Sequence, residues 1–169
     1  MIYPIVKYGD PVLEKPAAPI TEFDDELRRL VEDMFESMYA AHGVGLAAPQ
    51  IGISKRIAVI DVTFKEDPNA KVVLVNPEIV HTEGRLTSNE GCLSLPEFRE
   101  KVARPRRVTA RAQDAAGKTI EVTGEDLLAR ALVHETDHLN GKLYFNHISA
   151  LKRDMMKRKI RKLMKQGKW

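Results

Sequence analysis

The segment LVHETDHLNG, residues 132 to 141, sets His134 and His138 four positions apart with Glu135 directly after the first. On a helix such a pair shares one face, with Cβ atoms roughly 5 to 6 Å apart, so both imidazoles reach one cation. Glu135 is turned about 100° from His134, which suits a carboxylate that handles the proton of a nearby water without itself ligating. This His-Glu-x-x-His pattern is used in metal-assisted hydrolysis, but a lone match also arises by chance, so a third ligand has to be found. Downstream the only histidine is His147, past the Gly141 stop, and residues 139 to 169 contain no Glu. Cys92, 42 positions upstream of His134 in NEGCLSLPEF, is the alternative source. One thiolate with two imidazoles leaves a fourth tetrahedral position open, as catalytic sites do. The competing role for a free cysteine is a buried, inert thiol.

These residues need elements to hold them. Leu27, Leu30, Val31, Met34, Phe35 and Met38 follow helical spacing over residues 24 to 41, with Asp24 or Asp25 as cap and Gly43 as stop. A second helix is expected from about 125 to 139, ending at Asn140 and Gly141, and a third from about 150 to 166. On the second, Leu127 and Ala131 share the histidine side, so that stripe is expected to face inward. RIAVIDV (56 to 62) and KVVLVNPEIV (71 to 80) are β-branched runs, and residues 106 to 124 read as two strands around an Asp/Gly turn. Gly91, Ser94 and Pro96 suggest that Cys92 sits in a tight loop beside a sheet edge. The fold class is α+β: mostly antiparallel sheets packed around a central metal-binding helix, with an N-terminal and a C-terminal helix.

A chain of 169 residues without repeats or Gly/Ser linkers fits one domain over residues 1 to 169. No apolar run reaches the roughly 18 residues of a membrane span. Lys7, Asp10, Glu14 and four prolines interrupt the first 19 residues, so no secretory signal is read and a cytoplasmic location is expected. The single cysteine agrees with a reducing compartment. Residues 150 to 169 hold nine Lys or Arg against one acid, Asp154, so the tail carries +8 within an overall +3, beside a partial apolar stripe of Leu151, Met155, Ile160, Leu163 and Met164.

Three segments, GVGLAAPQIG (43 to 52), EGCLS (90 to 94) and HETDH (134 to 138), together closely resemble the peptide deformylases, in that family's order and over nearly the whole chain. The C-terminal helix resembles the bacterial type that ends in a helix. Val133 departs from the pattern, since the family usually has Gln there. The resemblance implies removal of the N-formyl group from the N-terminal methionine of nascent polypeptides, with release of formate. It assigns the metal to Cys92, His134 and His138 and the catalytic role to Glu135. Fe2+ is the ion it implies, with Zn2+, Ni2+ or Co2+ able to occupy the site; spacing alone chooses none of them. It also implies oxyanion donors at the Gln50 side-chain amide and the Leu93 N–H, with Gly45 pairing with the substrate main chain.

Glu135 is then expected to take the proton of the attacking water and pass it to the departing amine. Gly43 and Gly45 let backbone approach a ligand. Val44, Leu127 and Ala131 are candidates for the methionine pocket, or plain core. Arg99 is a candidate contact for substrate main chain, or a solvated surface arginine. The expected partners are N-formylmethionyl nascent peptides and, through the basic tail, ribosomal RNA; the tail is otherwise a solvated helix packed on the body. Neither a membrane nor DNA is expected. An RNA-binding module with structural zinc would need a fourth protein ligand, and His42, His81 and His147 show no ligand pairing. A metalloprotease would share the hydrolytic chemistry but not the upstream cysteine.

Overall fold

The computed structural model describes residues 1–169. Helix α1, Asp25–Ala40, begins where the Asp24 carboxylate accepts the Leu27 N–H at 3.0 Å. Its Leu27, Val31, Met34, Phe35 and Met38 are buried, as the spacing requires. The chain leaves the helix through His42 in the left-handed region (φ 58°) rather than through Gly43. Gly43 is needed for clearance, because a Cβ there would stand 2.8 Å from Leu93 Cδ1.

Seven strands follow: β1 (Gly45–Ala47), β2 (Ile57–Ile60), β3 (Val72–Glu83), β4 (Leu86–Cys92), β5 (Leu95–Arg104), β6 (Arg107–Gln113) and β7 (Thr119–Glu125). Five of them form one sheet in the order β1-β2-β3-β6-β7, every pair antiparallel. All four residues of β2 are buried, so this strand is shorter and more central than the run 56 to 62 suggested. Strand β3 runs on to Glu83, with a register shift after Val75 where Asn76 takes a positive φ of 51°. Strands β4 and β5 pair only with each other, as a hairpin whose turn follows Cys92. The tight loop expected around Cys92 is thus the tip of two strands that the sequence did not announce.

Helix α2, Asp126–Leu139, lies across the five-stranded sheet against β1, β2, β6 and β7. Ala129, Ala131 and Leu132 pack there on Ile60, Leu74, Val108, Ala110 and Ala112. Burying a side chain such as Leu132 contributes about 1.5–3 kcal/mol, so the helix is seated by apolar surface. It ends at Asn140 and Gly141 as expected; Gly141 has φ 77°, and a Cβ there would meet Glu14 backbone at 2.9 Å.

Helix α3, Ala150–Lys165, is capped by Ser149, whose hydroxyl accepts the Lys152 N–H. It buries Met156 and Ile160 against Leu95, Val102, Tyr144 and Phe145. The expected stripe of Leu151, Met155, Ile160, Leu163 and Met164 is therefore corrected. Leu151 and Met155 are 71% and 61% exposed, because only the i, i+4 pair Met156 and Ile160 faces the hairpin side of the core. No helix is long and apolar enough to cross a membrane.

Candidate metal centre and active site

His134 and His138 stand on the buried face of α2, and Cys92 reaches them from the end of β4. Cys92 Sγ lies 3.3 Å from His138 Nε2, which lies 3.2 Å from His134 Nε2. All three ligand atoms fall within 4.8 Å of one another, the only such cluster in the protein. His134 Nδ1 sits 2.6 Å from Glu90 Oε2, so in the neutral ring the proton belongs on that nitrogen, and Nε2 would offer its lone pair to an ion at the cluster. Burial would lower the His134 pKa, but Glu135, Cys92 and Glu90 raise it well above the imidazole range. Burial and the neighbouring His134 hold His138 well below that range. A pocket of electron-pair donors that attracts one positive charge but cannot protonate both rings fits a single cation, and thiolate with imidazole suits Zn2+, Fe2+, Co2+ or Ni2+.

Behind this cluster lies a buried ionic network. The Glu90 carboxylate accepts from Arg104 Nε (3.1 Å) and Nη2 (2.7 Å) and from Arg130 Nη1 (2.8 Å), besides His134. Burial alone would raise the Glu90 pKa, but His134 and Arg104 hold it well below the carboxylate range. Arg104 continues to Asp137 at 2.9 Å, and Asp137 to His147 at 2.9 Å. Arg130 also donates to the carbonyls of Val102 (3.0 Å) and Leu86 (2.8 Å).

A cleft of about 570 Å³ opens on the cluster. It is lined by Gly43, Val44, Gly45, Gln50, Cys92, Leu93, Arg99, Leu127, Ala131, His134 and Glu135, so every proposed site residue except His138 reaches it. His138 lies behind, fully buried. Leu127 is corrected in one respect: it is 50% exposed and stands at the cleft mouth, in the first turn of α2, rather than facing the core. Glu135 Oε1 is buried with no hydrogen-bond partner. Burial, aided by Glu90 and Asp137 and opposed by His134 and Arg104, pushes its carboxyl up to about 7. A Cβ on Gly45 would come within 2.5 Å of Glu135 Oε2, so only glycine lets β1 pass this carboxylate. Gln50 Oε1 accepts the Ala47 N–H at 3.0 Å, which fixes the amide and leaves Nε2 facing Ser94 Oγ (3.2 Å) and Cys92 Sγ (3.6 Å).

A family model for polypeptide deformylase matches residues 2–154. The chain is also 63% identical over 169 residues to a peptide deformylase of Acidobacterium capsulatum, covering 100% of this chain and 99% of that one. The chain belongs to the polypeptide deformylase family. The solved peptide deformylase of Legionella pneumophila shares the fold at TM-score 0.90 with 47% identity, covering 99% of this chain and 98% of that one. That of Thermus thermophilus does so at TM-score 0.88 with 42% identity, covering 95% and 94%. As a member of this family the protein is a metal-dependent hydrolase that removes the N-formyl group from nascent peptides.

Several residues of this deformylase site escaped the sequence reading. Glu90, Arg104, Arg130 and Asp137 were not singled out, although Arg130 is one helical turn before His134 and Glu90 lies two positions before Cys92. Residues 96 to 98 also line the cleft. Val133, the departure from the family pattern, packs with the apolar cluster of Ile60 and Leu74 and not on the cleft.

Proposed function

We propose that Cys92, His134 and His138 hold one divalent ion, Fe2+ by family resemblance, and that Glu135 acts as general base and then general acid in hydrolysing the formyl amide. The observation that carries this is the convergence of three ligand atoms within 4.8 Å beside a buried, unpartnered carboxylate oxygen. When bound, the ion supplies Lewis acidity and lowers the pKa of coordinated water from about 15.7 toward about 7. Glu135, its own pKa drawn up by burial, takes the water proton and delivers it to the departing amine nitrogen. Gln50 Nε2 and the Leu93 N–H, which has no hydrogen bond within the protein, stabilise the oxyanion.

The substrate main chain joins the free edge of β1. The Asp61 N–H donates to Val44 O, and Gly45 pairs with Ile60 in the next position. Antiparallel pairs alternate between bonded and non-bonded, so the Gly45 N–H and C=O point away from β2 toward the cleft side. Val44, Leu127 and Ala131 receive the methionine side chain, and Gly43, like Gly45, lets the backbone approach it. Arg99 meets the peptide beyond.

The decisive experiment is metal analysis and formate release on anaerobically purified protein, using formyl-Met-Ala beside unmodified Met-Ala. One metal per chain and formate from the first peptide only are expected; cleavage of unmodified peptides, or no formate, overturns the reading. We further propose that the enzyme works in the cytoplasm and meets ribosomal RNA through the basic face of α3. Replacing Arg158, Arg161 and Lys162 by Glu should abolish salt-sensitive ribosome cosedimentation; unchanged cosedimentation refutes this contact.

A further inference from the structure

We propose that Trp169, the last residue of the chain, is a positioning residue that holds the cleft wall formed by residues 96 to 98. Strand β5 bulges beside the metal-site cysteine: Gly91 pairs with Arg99 while Cys92 pairs with Leu95, so residues 96 to 98 have no partners on β4. Within this bulge Glu97 is forced to a φ of 68°, a conformation that non-glycine residues keep only when their surroundings over-determine it. Residues 96 to 98 line the cleft, so their placement shapes the space beside Cys92 and Arg99.

What braces the bulge comes from the two chain ends. The indole of Trp169 packs edge-on against Phe98 with centroids 6.0 Å apart, and Lys159 Nζ stands 5.7 Å from the Phe98 ring. Trp169 Nε1 donates to Tyr8 O at 2.7 Å. The same N-terminal segment ties together two parts of the site, since the Tyr8 N–H donates to Ser94 O (2.9 Å) and the Val6 N–H to Gln50 O (2.7 Å). Trp169 thus touches the bulge directly and, through Tyr8, the turn that follows Cys92. The matched family region ends at residue 154, so Lys159 and Trp169 lie outside it while Tyr8 and Phe98 lie within. A tryptophan that served only to follow α3 would need neither an indole hydrogen bond to Tyr8 O nor a ring against a cleft residue.

The kinetic and emission arms of the test rest on the functional reading above; the exchange arm does not. In the metal-loaded enzyme, Trp169→Ala should raise KM for formyl-Met-Ala-Ser about threefold to tenfold, the range of an aromatic pair, and leave kcat within about twofold. Amides of Leu95, Glu97, Phe98 and Arg99 should exchange faster by a similar factor while the global unfolding midpoint moves little. Trp169→Phe, which keeps a ring against Phe98, should recover most of the KM. Trp169 is the only tryptophan, so the wild-type emission should shift when the unreactive peptide Met-Ala-Ser fills the cleft. Unchanged KM and exchange in Trp169→Ala, exchange that rises evenly over the whole chain, or an emission blind to the peptide would each overturn the proposal. If the wild type fails to release formate, the functional reading falls, and exchange in Trp169→Ala still decides this one.

Discussion

Helix α2 and the β4–β5 hairpin each carry part of the candidate metal site, but different forces seat them. Under α2 lie Ala129, Ala131 and Leu132, packed on the five-stranded sheet. The one buried residue of β4 is a carboxylate, Glu90, tied to α2 through Arg130 and His134 and to β5 through Arg104. Apolar burial is non-directional and tolerates small displacements. Charge-assisted hydrogen bonds are directional, and each buried partner left alone is costly. The helix therefore sets where the imidazoles are, and the ionic network sets how the sulfur approaches them.

The largest expected effect leaves both supports intact. Glu135→Ala removes the proposed proton carrier, so formate release should fall by about 10² to 10⁴ while bound metal and unfolding midpoint stay near wild type; near-normal turnover would remove Glu135 from the chemistry. The next compares the two supports. Arg104→Met leaves the buried Glu90 with only Arg130 and His134, and the half-buried Asp137 with only His147, and should destabilise by about 3 kcal/mol, the low end for a broken buried pair; Leu132→Ala opens an apolar cavity at about 2–5 kcal/mol. Hydrogen exchange should localise the first to residues 86 to 104 and spread the second through α2 and the large sheet, and identical exchange patterns would erase the distinction. The smallest effect concerns pH on the sheet side. Burial would raise the pKa of Asp61, but hydrogen bonds from Tyr39, Thr63 and the backbone of Lys65 lower it to about 2. A carboxyl depressed in the folded state contributes stability that is complete above its unfolded value of about 3.9 and is lost as pH falls toward 2. Urea unfolding from pH 5 to 2 should therefore show a steeper loss in wild type than in Tyr39→Phe, and equal slopes would refute this role of the hydrogen bond.

The three helices were legible because their information is local. Leu27, Val31, Met34 and Met38 repeat at helical spacing, and Asn140 with Gly141 mark the stop of α2. The hairpin was not legible, for the reason that makes it unlike α2. Over residues 86 to 92 its burial alternates around a charged residue rather than an apolar one, so no hydrophobic period of two marks it as strand. Periodicity puts Leu127 on the inward face but does not say what covers it, and Leu127 stands at the open mouth of the cleft. Met156 was passed over for Leu151 and Met155 for the same reason, since a basic helix with scattered apolar residues offers more than one stripe.

By itself the sequence determined the helical spacing of His134 and His138, the position of Glu135 between them, and the three segments by which the family is recognised. Local geometry suffices there, because four residues of helix fix two side chains on one face. The tertiary structure alone decided that Glu90 is locked between two arginines and a histidine, that the Gly45 edge is free, and that Trp169 meets Phe98. Those relations join residues far apart in the chain, and only the packing of α2, the hairpin and both chain ends brings them within hydrogen-bond or van der Waals reach.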